Sequence, residues 1–279
     1  MLANMKKKLP FIAVVFPLVC MLALFLCMPV IGMVLSSFQT DTNGAWTLSN
    51  YHEIFTNSFF YQAFYNSALI GLFSSVLGLI LAIVLCNCLL KLSEKWQEKI
   101  TVVTNLVANF AGVPLAFAFI ILLGNSGILK LAFPHLMTFN LYSWRGLVLT
   151  YLYFQIPLGV IFIYPAMRKM KKEWIEVSDL FGASRSFYWR KVGIPLLMPT
   201  LGSTFIILFA NGLGTYETAY ALVGSNINLL TTRISALIAG DVYARPNVGS
   251  ALAVVFFGMM VLAMILSQLL VRRVRRTSL

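Results

Sequence analysis

The sequence predicts an all-α, polytopic membrane protein with six transmembrane helices. Three observations carry that expectation. Hydrophobic residues fill 59% of the 279 positions and charged residues only 11%, where a soluble chain carries about 25% charge. Mean hydropathy is +0.85. Apolar runs of roughly 20 residues, enough to cross a bilayer, recur along the chain. No polar stretch between them exceeds about 30 residues, below ordinary domain sizes. A single transmembrane domain over 1–279 is expected.

The first span is expected over 10–38. Lys6, Lys7 and Lys8 precede it as in a secretory signal, but the apolar run continues from Leu9 to Phe38 with no small-x-small cleavage site. That is far beyond a signal's apolar region, so the segment reads as a retained span. The second, 63–90, repeats Ser67, Gly71 and Ser75 every four residues, and Ser74, Gly78 and Ala82 likewise. Small residues at that spacing let helices approach closely. The third, 100–124, holds Asn105 and Asn109 four apart, then Gly112 beside Pro114. The fourth, 145–168, holds Gln155 and Pro157. These prolines predict kinks, tolerated where neighbours satisfy the freed backbone groups. The fifth, 196–222, contains Asn211, Gly212, Gly214, Tyr216 and Glu217, and the sixth covers 247–271. Cys20, Cys27, Cys86 and Cys88 all lie in apolar runs without Cys-x-x-Cys or Cys/His spacing. They read as small packing residues, and no metal site is expected.

Basic residues orient the chain, because cytoplasmic loops carry the excess of Lys and Arg. Seventeen of the 21 fall on one side. They are Lys6 to Lys8; Lys91, Lys95 and Lys99; Arg168, Lys169, Lys171, Lys172, Arg185, Arg190 and Lys191; and Arg272, Arg273, Arg275 and Arg276. Lys130, Arg145, Arg233 and Arg245 fall on the other. Both termini are therefore expected in the cytoplasm. The net charge of +12 reads as this topology signal and as contact with anionic lipid headgroups. Nucleic-acid binding would need an exposed basic surface with reading elements, and none is present.

Several chemistries are excluded or disfavoured. The chain has no G-x-x-x-x-G-K-[ST] loop, so it does not bind ATP by a P-loop. It has no HExxH, no G-x-S-x-G and no paired intramembrane carboxylates. His52 and His135 read as solvated loop residues. A membrane enzyme is not expected.

The most informative stretch is the cytoplasmic loop EVSDLFGASRSFYWRKVGIP, Glu176 to Pro195. Glu173 to Phe181 reads as a short helix, with Trp174, Val177 and Phe181 on one face and Glu176 and Asp179 on another. Acids near a helix start suit its dipole. Gly182 permits a turn or a close backbone approach. Ser184 can cap a second short helix through Phe187, Tyr188 and Trp189. Arg190 and Lys191 mark the membrane edge, and Pro195 suits the first turn of the next span. By pattern alone, an amphipathic loop on the membrane surface and a docking piece for a partner fit equally.

This segment resembles the EAA loop of binding-protein-dependent ABC importer permeases, whose pattern is E-A-A, three residues, G, nine residues, then I-x-L-P. Glu176 takes the glutamate position and Gly182 falls six residues on. Val192, Gly193, Ile194 and Pro195 take the I-x-L-P positions. Val177 and Ser178 replace two alanines, and Val192 replaces isoleucine. The resemblance covers approximately spans two to six. It implies a type I importer permease fold in a bacterial cytoplasmic (inner) membrane. The implied complex has two permeases, here a heterodimer with a sister chain, two ATPase subunits and an extracytoplasmic solute-binding protein. No cofactor is expected on this chain; ATP and Mg would sit on the partner ATPase. The loop 173–195 would be the coupling helix seated in the ATPase. Glu176 and Asp179 would offer charge, Leu180, Phe181 and Ala183 apolar contact, and Gly182 close approach.

Glu217 is the only acid expected inside a span, and an ionisable residue at membrane depth is by default a functional candidate. With Asn211 and Tyr216 it is expected either to line the solute pathway or to pair with an outer arginine such as Arg233 or Arg245. Asn105, Asn109 and Gln155 are weaker pathway candidates, for which interhelical hydrogen bonding is the competing explanation. The run GLGTYETAYALVG resembles the polyamine/opine/phosphonate branch of these permeases, and a pathway acid would favour a cationic or zwitterionic solute such as a polyamine or aminophosphonate. The competing functions are an ion-gradient-driven secondary transporter, which would be expected to place several ionisable groups at mid-membrane, and a non-conducting membrane scaffold.

Overall fold

The computed structural model describes residues 15–133, 138–170, 172–240 and 244–277. Lys6 to Lys8, residues 10–14, His135 and Lys171 lie outside the described residues, as do the side chains of Lys172, Arg272, Arg273, Arg275 and Arg276. The described residues are almost entirely helical. In chain order the helices are α1 (Val15–Ser37, with a π-helical turn at Ala23–Cys27), α2 (Ser49–Thr56), α3 (Ser58–Leu89), α4 (Glu94–Asn109), α5 (Val113–Leu123) and α6 (Ile128–Ala132). There follow α7 (Trp144–Arg168), α8 (Lys172–Leu180), α9 (Arg185–Tyr188), α10 (Ile194–Gly214), α11 (Glu217–Val223), α12 (Leu230–Ala239) and α13 (Pro246–Thr277). Among the described residues, six segments are long and apolar enough to span a membrane: Val15–Ser37, Ser58–Leu89, Val113–Ala132, Trp144–Arg168, Arg185–Gly214 and Pro246–Ile265.

Two expected spans are corrected. A continuous third span over 100–124 does not form. α4 ends at Asn109, and the membrane-length segment is Val113–Ala132. Gly112 sits at φ +78°, ψ −153°, a region essentially reserved for glycine, and Pro114 in the first turn of α5 has no N–H to carry a helix through. The fifth span, expected over 196–222, is displaced towards the N-terminus. A π-helical turn, Trp189–Gly193, joins α9 to α10 without a break. Gly193 allows this because a Cβ there would run into the Trp189 ring. At the other end Thr215 is extended, at ψ 106°. Glu217 therefore starts a new helix, α11, instead of lying within a span. α7 runs on through both Pro157 and Pro165.

The chain divides into two compact units, one of Met1–Tyr61 with Arg233–Gly258, the other of Gln62–Thr232 with Met259–Leu279. In the first, the chain after α1 folds back through an antiparallel bridge between Gln39 and Trp46. The Asn50 side chain donates to the Ser37 and Gln39 carbonyls at 3.0 and 2.8 Å. Arg245 donates to both Glu53 carboxylate oxygens at 2.6 and 2.7 Å, and its Nε lies 3.8 Å from Asp41. The hydrogen bond to Glu53 pushes the guanidinium pKa up. Asp41 also accepts from the Asn247 N–H at 2.8 Å, placing a carboxylate at the N-terminus of α13, where the helix dipole favours it.

In the second unit α7 is the central helix, packed against α4 and α10. One apolar cluster joins Ile70, Leu115, Leu147, Tyr151, Phe154 and Leu222. Another joins Ala82, Cys86, Leu89, Ile163, Met167 and Leu197. Between them along α3 and α7 lies a polar tie. Gln155, fully buried, donates from Nε2 to Ser74 Oγ at 3.1 Å and to the Leu208 carbonyl at 3.3 Å, linking α3, α7 and α10. The small residues of α3 make this approach possible. A Cβ on Gly78 would lie 3.1 Å from the Gln155 side chain, and one on Gly159 would lie 2.7 Å from Ala82.

Candidate functional site

The loop segment 173–195 folds as two short helices around a glycine turn. α8 closes with a Schellman arrangement, in which the Gly182 N–H donates to the Asp179 carbonyl at 3.0 Å and the Ala183 N–H to the Ser178 carbonyl at 3.1 Å. Gly182 is at φ +71°, which favours glycine. A Cβ added there would meet nothing within 4 Å, so only backbone conformation constrains the residue within this chain. Ser184 caps α9, its Oγ accepting from the Phe187 N–H at 3.2 Å. Glu176 and Asp179 are exposed and Ala183 is half-buried. Leu180 is 85% and Phe181 87% exposed. Burying two such side chains would be worth about 1.5–3 kcal/mol each, so the turn presents an apolar knob in a charged setting. Tyr188 in the second short helix is buried, and its ring meets Trp189 edge-on at 5.9 Å.

A second site forms where two interrupted helices meet. The α4–α5 break at Gly112 and the α10–α11 break at Thr215 face each other across a cleft of about 350 Å³. Thr218, fully buried, clasps the first break. Its Oγ1 accepts from the Gly112 N–H at 2.9 Å and donates to the Gly112 carbonyl at 3.2 Å. Tyr151 and Thr215 secure the second break. The Tyr151 hydroxyl donates to the Thr215 carbonyl at 3.2 Å, and Thr215 Oγ1 donates to the Asn211 carbonyl at 2.6 Å. Glu217 lies against Gly112 so closely that a Cβ there would be 2.6 Å from its Oε2.

Asn211, Tyr216 and Glu217 all line this cleft. Tyr216 stacks on Tyr220, ring centroids 5.4 Å apart. No Lys, Arg or His is among the lining residues, so Glu217 supplies the cleft's formal charge. The two outer arginines make other contacts, Arg245 with Glu53 and Asp41 and Arg233 over the Phe59 ring at 4.5 Å. The other three expected residues do not line the cleft. Gln155 belongs to the buried tie. Asn105 and Asn109 are exposed on α4 and donate back along their own helix, to the Thr101 and Asn105 carbonyls at 2.9 and 2.8 Å. Thr218 leaves no local signal in the sequence, because its contact with Gly112 spans 106 residues. The Gly112-x-Pro114 pattern predicts a kink here, and the structure has a full break instead.

Comparison with known proteins places this geometry. Residues 74–276 match the family described as binding-protein-dependent transport system inner membrane component. The chain is 26% identical over 261 residues to the sulfoquinovosyl glycerol transport system permease protein SmoG of Agrobacterium fabrum, covering 87% of this chain and 84% of that one. It is 23% identical over 253 residues to the spermidine/putrescine transport system permease protein PotC of Haemophilus influenzae, covering 89% and 93%. Among solved structures, a chain of a bacterial ABC transporter involved in the import of the acidic polysaccharide alginate superposes with a TM-score of 0.79 at 16% identity, covering 97% of this chain and 98% of that one. Another, from the alginate transporter in complex with alginate pentasaccharide-bound periplasmic protein, gives 0.78 at 15% identity, covering 99% and 98%. The chain thus belongs to the binding-protein-dependent transport system inner membrane components, as a multi-pass permease subunit of an ABC importer that transports rather than catalyses.

Proposed function

We propose that this permease couples to a separate pair of ATPase subunits through the segment 173–195, and that with a sister permease it passes a small cationic or zwitterionic solute, a polyamine or an aminophosphonate, past Glu217. Both termini and the coupling segment face the cytoplasm, as the seventeen-to-four division of basic residues supports. ATP and Mg are bound by the ATPases. The observation that carries the coupling role is the exposed Leu180–Phe181 knob beside Gly182, held by a Schellman turn and a serine cap. A helix pair so defined, yet leaving Leu180 and Phe181 in water, fits a groove in a partner. Closure of the ATPase dimer would draw two such knobs together and flip the bundle between two packed states, since packed cores are bistable rather than continuously deformable.

The solute class rests on the cleft. One carboxylate, the Tyr216 ring, an asparagine and the ends of two broken helices surround a space with no Lys, Arg or His among its lining residues. Unwound backbone and helix ends at membrane depth commonly carry transport sites. The relatives' names differ in charge, one a sulfoquinovosyl glycerol permease and the other a spermidine/putrescine permease; Glu217 favours the cationic alternative.

Uptake by the reconstituted complex tests both parts. Gly182→Asp should abolish solute uptake while leaving the permease in the membrane at normal abundance; normal uptake would sink the coupling role. Glu217→Gln should weaken uptake of a labelled diamine by one to two orders of magnitude, on the order of the worth of a desolvated charged hydrogen bond. Undiminished diamine uptake by Glu217→Gln would remove the carboxylate from the pathway.

A further inference from the structure

A mixed cavity of about 690 Å³ opens beside the coupling segment. Its walls come from the end of α3, the start of α4, the end of α7, and α8 with α9. Leu90, Met170 and Ile175 give it an aliphatic side, while Lys91 and Arg168 give it two exposed cations. Glu94, also in the wall, lies 3.8 Å from Arg168 and is 86% exposed. A solvated pair at that distance is weak and leaves the guanidinium available. Tyr188 also contributes to the wall, and its buried hydroxyl has no hydrogen-bond partner among the described residues. An orphan buried hydroxyl is uncommon and calls for an explanation such as a ligand or water. Gln97 is already satisfied, accepting from the Tyr164 hydroxyl at 2.6 Å and donating to the Leu92 carbonyl at 2.8 Å.

We infer that this cavity is a site for an anionic phospholipid, with the headgroup phosphate between Lys91 and Arg168 and the glycerol and first methylenes against Leu90, Met170 and Ile175. Basic pockets between membrane helices at the cytoplasmic end suit anionic headgroups. Because α8 and α9 form part of the wall, the lipid braces the coupling segment against the ends of α3 and α7. The leaflet assignment rests on the cytoplasmic orientation proposed above; the cavity itself does not.

The test uses the assembled importer in nanodiscs of phosphatidylcholine, with and without phosphatidylglycerol, scored by lipid retained in native mass spectrometry and by solute-stimulated ATP hydrolysis. Each cation near an anionic surface is worth about fivefold in affinity, so Lys91→Gln with Arg168→Gln should reduce phosphatidylglycerol retention by about 25-fold. Lys95→Gln with Lys99→Gln, which removes equal charge outside the cavity, should leave retention intact. Ser93→Trp fills the space without changing charge and should also displace the lipid, which keeps the proposal testable if the double variant assembles poorly. Phosphatidylglycerol should stimulate hydrolysis in the parent and the Lys95/Lys99 control but not in the two cavity variants. Equal retention by parent and cavity variants, or equal retention of phosphatidylcholine and phosphatidylglycerol by the parent, overturns the site. Labelling of Ser184→Cys by an impermeant thiol reagent from outside right-side-out vesicles would overturn the orientation and the leaflet, while retention still decides the cavity.

Discussion

Gly112 and Gly182 both hold the backbone at positive φ, +78° and +71°, yet their surroundings are opposite. Gly112 is hemmed in by its own chain, with the Glu217 carboxylate where a Cβ would go and Thr218 bonded to both its N–H and its carbonyl. Gly182 has empty space around it, and its neighbours Leu180 and Phe181 point large apolar side chains into solvent. The first glycine is explained by what this chain contains. The second is explained within the chain only by its dihedral, so any further intolerance at that position must come from something that docks there. The pair therefore separates a constraint of folding from a constraint of assembly.

The strongest way to break this contrast is Gly112→Val. Forcing a β-branched residue into that region costs on the order of 1–3 kcal/mol in backbone strain, with displacement of Glu217 added. Abundance and thermal stability of the purified permease should both fall sharply. Gly112→Ala should be milder, and adding Glu217→Ala should restore part of its lost stability; no restoration would remove crowding from the account.

Gly182→Ala sharpens the other side. The isolated permease should lose only about 1–2 kcal/mol, the cost of a left-handed residue, while the assembled importer should show a larger loss of uptake relative to ATP hydrolysed. Equal losses in both settings would mean that nothing approaches Gly182 closely. Gln155→Leu tests a contact of the folding kind away from both glycines. It deletes two buried hydrogen bonds, each worth about 0.5–1.5 kcal/mol, and thermal melting should register the loss with uptake falling in proportion to abundance. A smaller effect is expected of Ser184→Ala, roughly 1 kcal/mol for a lost cap, read as faster amide exchange in α9. The smallest is Arg245→Gln. Its own side chain is 45% exposed, and such partly exposed pairs contribute about 0–1 kcal/mol, so only a small shift in melting is expected.

The sequence was most readable where structure is local. Gly182 and Ser184 announce a turn and a cap, and the four-residue repeat on α3 announces close helix packing, which the structure realises against Gln155 and Gly159. Spans three and five were misplaced because a hydropathy window cannot see a single dihedral. Residues 100–109 and 113–124 are joined by polarity but severed by Gly112, and Thr215 severs Gly214 from Glu217 in the same way. Asn105, Asn109 and Gln155 all looked like polar residues in apolar runs. Only tertiary packing distinguishes a carboxamide bonding back along its own helix from one that ties three helices together. Thr218 was invisible because its meaning depends on a residue 106 positions earlier.

The Arg245–Glu53 bond has a consequence for biogenesis. Its partners are 192 residues apart, and their unit is assembled from the beginning of the chain and a segment near its end. During synthesis the ribosome must deliver residue 245 before Glu53 can meet its cation, so the first span and the loop after it wait in the bilayer while most of the other helices are being inserted. A chaperone or insertase that shields that loop, or a nascent chain stalled before Arg245, would reveal the interval.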